Sequence, residues 1–80
     1  MGLANDLAEQ LALDACNAAD KIGDETLPET IAQVVGASSP TTEELYRTAV
    51  RVIQAERRAR GILEQRIKAA EAKASGGDTA

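Results

Sequence analysis

The sequence predicts an all-α fold: two shorter helices packed along one long C-terminal amphipathic helix, with a second chain completing a dimeric helical bundle. Three observations lead there. From Ser39 to Ala74 the apolar residues keep helical spacing, over nearly half of the 80 residues. Upstream, glycine and proline punctuate the chain around Gly23–Pro28 and again around Gly36–Pro40, leaving room for two shorter elements. Finally, Ile31–Ser38 is the one stretch with strand character, and nothing else in the chain is suited to pair with it.

The first helix is expected over residues 4–22, capped by Asn5 or Asp6. Leu3, Leu7, Leu11, Ala15, Ala18 and Ile22 recur every three or four residues and form one stripe, with Ala4 and Ala8 beside it. Asp6, Glu9, Asn17 and Asp20 fall on the far side together with Leu13. Cys16 lies on the flank among acids. A reactive thiol needs an electropositive setting, so Cys16 reads as a packing residue. Gly23 ends the helix.

Thr26 and Glu29 have the spacing of a capping box, and Pro28 suits a first turn. They open a short helix over 27–35 that presents Leu27, Ile31, Val34 and Val35, with Gly36 as its stop.

The third helix is expected over 41–74. Pro40 fits a first helical position because its missing N–H has no intrahelical partner there. Ser39 can then cap, while Thr41 with Glu44 offers a capping box in a competing register. Glu43 and Glu44 at the start, with Lys68 and Lys73 near the end, complement the helix dipole. Ser75-Gly76-Gly77 is the expected stop, and residues 75–80 read as a disordered tail. At 100° per residue, Leu45, Ala49, Val52, Ala59, Leu63, Ile67, Ala70 and Ala74 share a face flanked by Tyr46 and Ile53. Glu56 falls inside that stripe, either paired with Arg60 four residues on or as a register-fixing polar contact across a helix seam. Gly61 is either tolerated or a point of close helix approach; it costs about 1 kcal/mol against alanine. The two shorter helices, roughly 28 Å and 14 Å long, can lie end to end along the third at roughly 50 Å.

One domain over residues 1–74 has a thin core, because much of its 44% apolar content is alanine and Tyr46 is the lone aromatic. Oligomerisation is the common remedy, and Leu45, Ala49, Val52, Ile53, Leu63 and Ile67 form the expected homodimer interface. One cysteine allows no intramolecular disulfide, and no apolar run is long enough for a bilayer. The N-terminus has no basic segment and apolar core of a signal peptide, so the expected compartment is the cytoplasm. The net charge of −4 divides unevenly: residues 1–36 hold seven acids against Lys21, while 37–74 hold eight bases and five acids. That polarity favours packing the acidic half against the basic helix, within a chain or between chains.

The inventory for catalysis is nearly empty. There is no histidine, phosphate-binding loop or Cys-x-x-Cys pair, and Asp20, Asp24 and Glu25 read as a solvated turn. No enzyme activity, metal or cofactor is expected. Arg47, Arg51 and Arg58 share a polar stripe suited to carboxylate or phosphate, and are the candidate partner-facing residues. The expected function is a non-enzymatic protein–protein interaction module, a regulator, adaptor or inhibitor acting through the long helix. The alternative is a nucleic-acid-binding accessory protein using the same arginines, although net acidity and the lack of stacking aromatics argue against it.

Overall fold

The computed structural model describes residues 2–77, which are all-helical: α1 (Leu3–Ile22), α2 (Leu27–Ser38) and α3 (Pro40–Gly77). The molecule measures 62 × 28 × 13 Å. Its long dimension is α3, whose 38 residues span roughly 57 Å.

The helix ends follow local chemistry, with some departures from expectation. Gly23 takes the left-handed conformation (φ 69°, ψ 32°) and closes α1, with the Asp24 N–H donating to the Ala19 carbonyl oxygen at 3.0 Å. At the other end of α1 neither Asn5 nor Asp6 caps: the helix starts at Leu3, after Gly2, without a side-chain cap. The Thr26–Glu29 capping box does not form either. Asp24 Oδ1 instead accepts from the Thr26 N–H at 3.0 Å and the Thr26 hydroxyl at 2.7 Å, while the Glu29 carboxylate turns to α3. A carboxylate offered two charge-assisted bonds by a guanidinium gains more there than from one backbone N–H.

Gly36 does not stop α2, which continues to Ser38. A Cβ at Gly36 would collide with the Glu43 carboxylate, so this glycine lets the α3 side chain tuck against α2. Of the two capping registers for α3, Ser39 wins: its Oγ accepts from the Thr42 N–H at 3.1 Å, with Pro40 as the first helical residue. α3 passes through Gly61 as continuous helix and runs to Gly77, past the expected stop; the tail expected at 75–80 otherwise lies outside the described residues.

α1 and α2 do not lie end to end along α3. They fold back on each other beside its N-terminal half. Along α2, Glu29 meets Arg47 and Gly36 meets Glu43, so α2 runs antiparallel to α3. Along α1, Asn5 and Glu9 lie near Leu45 and Asp20 meets Arg57, so α1 runs parallel to it. Nothing in the described chain covers α3 beyond about Arg57, and every side chain from Arg58 to Ser75 is exposed.

The core is built on small residues. Ala8, Ala12, Ala15 and Cys16 of α1, Ala32 of α2, and Tyr46 and Val50 of α3 are buried, with Leu11, Ile31, Leu45, Ala49 and Ile53 packed around them. Two expected faces are therefore turned by roughly a quarter of a helix circumference. On α1 the alanines point inward, while Leu3 and Leu7 are exposed. On α3 the buried edge is Tyr46 and Val50, and Val52 is 62% exposed. Small side chains let helix axes approach closely around the single large ring, which a face of leucines would hold apart.

Candidate interaction surface

Two features stand out from the packed half of the molecule: the bare C-terminal half of α3, and a groove between α1 and α3. On the bare half, Ile62, Leu63 and Ile67 keep 54%, 54% and 47% of their surface accessible. The groove, about 390 Å³, is lined by Leu13 of α1 and by Leu45, Ala49, Val52 and Ile53 of α3, with Asn5, Glu9 and Thr48 on its rim. Groove floor and bare arm are the same apolar stripe of α3. Nine of the sixteen Leu, Ile and Val residues are exposed in the single chain.

The expected interface residues thus divide into two groups. Leu45, Ala49 and Ile53 are partly buried against the core, with their free edges in the groove. Val52, Leu63 and Ile67 are uncovered.

The expected arginine stripe also divides. Arg47 holds α2 in place: its Nη1 and Nη2 donate to Glu29 Oε1 and Oε2 at 2.6 and 3.0 Å, and its Nε donates to Glu43 Oε2 at 2.8 Å. Those bonds hold the Glu29 carboxyl below the usual carboxylate range and raise the guanidinium's affinity for its proton. With its donors so engaged, Arg47 is not presented to solvent as Arg51 and Arg58 are. Neither Arg51 nor Arg58 forms an ion pair among the described residues, and both are exposed. Arg57 fastens α3 to α1, donating to Asp20 Oδ2 at 2.7 Å and to Asn17 Oδ1. Helical i,i+4 spacing leaves Arg57 without a partner; only the acidic bias of the first helix hints at one. Glu56 pairs with Arg60, whose Nε donates at 2.7 Å, and both stay exposed where the arm begins.

Cys16 is buried, and burial pushes its thiol above the usual range, with Arg57 opposing and Asp20 reinforcing that shift. Among the described residues no cluster of His, Cys, Asp and Glu is placed to hold a metal ion, and no helix is long and apolar enough to cross a membrane. No protein-family model, no curated protein and no solved structure matches the chain.

Proposed function

We propose that this protein is a non-enzymatic helical interaction module that works by self-association, with the uncovered half of α3 as its docking element. One observation carries the reading: a helix of about 20 residues projects beyond its own core with Leu63 and Ile67 half exposed. Such a projection lacks the main source of helical stability in proteins, the packing of an apolar face. An exposed apolar face of this extent is a mark of protein–protein contact. Regulator, adaptor and inhibitor are all roles such a module serves, and Arg51 and Arg58 are exposed cations, without an ion pair among the described residues, that an acidic partner can engage.

The test is solution mass by light scattering over a concentration series, at low and high salt. The expected result is a mass of twice the 8.4 kDa chain, returned to one chain by Leu63→Asp with Ile67→Asp. A single-chain mass at all concentrations overturns self-association. The exposed arginines support a second reading, binding to a nucleic-acid backbone. It requires duplex DNA to bind at low salt with a steep loss as salt rises.

A further inference from the structure

We infer that the occupant of the α1–α3 groove is the bare α3 arm of a second copy, laid antiparallel, and that the exchange is reciprocal. The inference rests on the self-association proposed above and specifies its geometry. Four observations support it.

Length is the first. The arm from Arg58 to Gly77 is roughly 30 Å long, and the covered part of α3 from Pro40 to Arg57 is roughly 27 Å. An arm laid back along its partner spans the covered part of α3, with the groove of Leu45–Ile53 in the middle of its course.

The second is the layering of the apolar stripe. A two-fold axis level with Arg57 and Arg58 sets Val52 opposite Leu63, Ala49 opposite Ile67, and Leu45 opposite Ala70 of the second copy. Two of these three layers pair a large side chain with alanine, the alternation that lets facing helices interdigitate. The same axis brings Glu56 level with Arg60 of the second copy, twice over. In a parallel, in-register pair Glu56 faces Glu56, and like charges confront each other within the seam.

Charge at larger scale is the third. Residues 2–38 carry seven acids and one base, whereas residues 58–75 carry five bases and two acids. The antiparallel arrangement lays each basic arm against the acidic unit of the other copy. A parallel one places two acidic units side by side at one end.

The fourth is the groove's own rim. Glu9 lines the groove together with Leu45, Thr48 and Ala49, and in this register Lys68 of the second copy comes level with Thr48. At 100° per residue Lys68 lies on the helix edge of Tyr46, Val50 and Arg57, off the Leu63–Ile67 stripe, so it flanks the seam on the α1 side and reaches Glu9 only through its long side chain.

Within one chain, Lys68 and Glu9 cannot meet. Lys68 lies some 20 residues up α3 from the level of Glu9, roughly 30 Å away. Zero-length carbodiimide coupling of the native chain, mixed from isotopically light and heavy protein, therefore reports on the arrangement without mutation. The expected product is a light–heavy Lys68–Glu9 crosslink. A second measurement places a single spin label through Ser75→Cys, Cys16 being buried and slow to label. Antiparallel pairing sets the two labels roughly 50 Å apart, while a parallel seam sets their helix axes about 10 Å apart. A dimer with the short distance and no Lys68–Glu9 product overturns the antiparallel geometry and leaves self-association standing. A single-chain mass overturns both.

Discussion

The Tyr46 hydroxyl donates a hydrogen bond to the Pro28 carbonyl oxygen at 2.8 Å, and the Tyr46 side chain is fully buried. The one aromatic residue of the chain thus links the first turn of α2 to the first half of α3, with Ala12, Ala15, Cys16 and Ala32 in the buried cluster around it. In a core of alanines this ring is the largest buried side chain.

Removing it should be costly out of proportion to a single residue. Tyr46→Ala is expected to destabilise by about 3–5 kcal/mol, in the range of aromatic truncations. Tyr46→Phe loses only the hydroxyl bond, about 1 kcal/mol. Urea unfolding followed by helical circular dichroism measures both. Equal costs for the two variants would mean that the ring contributes little beyond its hydroxyl.

The Arg47–Glu29 pair should govern part of the acid limb of stability. Glu29 has its pKa lowered by the hydrogen bonds from Arg47, and Asp24 has its own lowered by those from Thr26. A carboxyl whose folded pKa is depressed contributes stability that is complete above its unfolded value, about 4.3 for glutamate. That contribution disappears as pH falls through the folded value. The melting temperature is therefore expected to hold from neutral pH to about 5 and to fall below that. Glu29→Gln should lower it at neutral pH and shrink the acid-induced drop; a drop as large as that of the parent chain would remove Glu29 from this role.

Cys16 should behave as a buried thiol. Its side chain is 3% exposed, and desolvation raises its pKa. Reaction with a thiol-specific disulfide reagent at pH 8 is expected to be far slower than for a free cysteine and to become rapid in denaturant. A fast reaction in buffer would show that α1 opens readily from α3.

These residues show where sequence reasoning succeeds and where it stops. Ser39-Pro40 and Gly23 were readable because a cap or a left-handed turn depends on a few adjacent residues. The long α3 and its i,i+4 pair Glu56–Arg60 were readable for the same reason. The buried faces were not. A helical wheel weighs hydrophobicity, so it favours Leu3, Leu7 and Val52, whereas the packed fold selects Ala8, Ala12 and Val50. What decides between them is how closely two axes approach, a property of both helices together. Glu29 leaves its cap position for Arg47, which lies 18 positions away in sequence. Arg57 reaches across 37 positions to Asp20, and local spacing has no view of either partner.

Gly61 provides a test of the arm itself. A Cβ there meets nothing within 4 Å, and Gly61 sits away from the Leu63–Ile67 stripe. Gly61→Ala should therefore stabilise by about 1 kcal/mol through helix propensity alone. Increased helicity with unchanged solution mass is the expected outcome. A loss of self-association would place a second helix against Gly61 and move the seam to that face.

The strongest thermodynamic signature of the proposed assembly is the dependence of unfolding on protein concentration. Leu63 is 54% exposed in the single chain, so Leu63→Ala should change the stability of an isolated protomer little. Buried at a seam, the same substitution should cost about 2–5 kcal/mol. Association that involves only the folded state raises the melting temperature as concentration rises. The parent chain is therefore expected to melt higher at higher concentration, and Leu63→Ala to melt lower with a shallower dependence. Thermal scans over a hundredfold concentration range read both. If the parent's melting temperature does not move, the exposed leucine of the arm has no second chain to cover it.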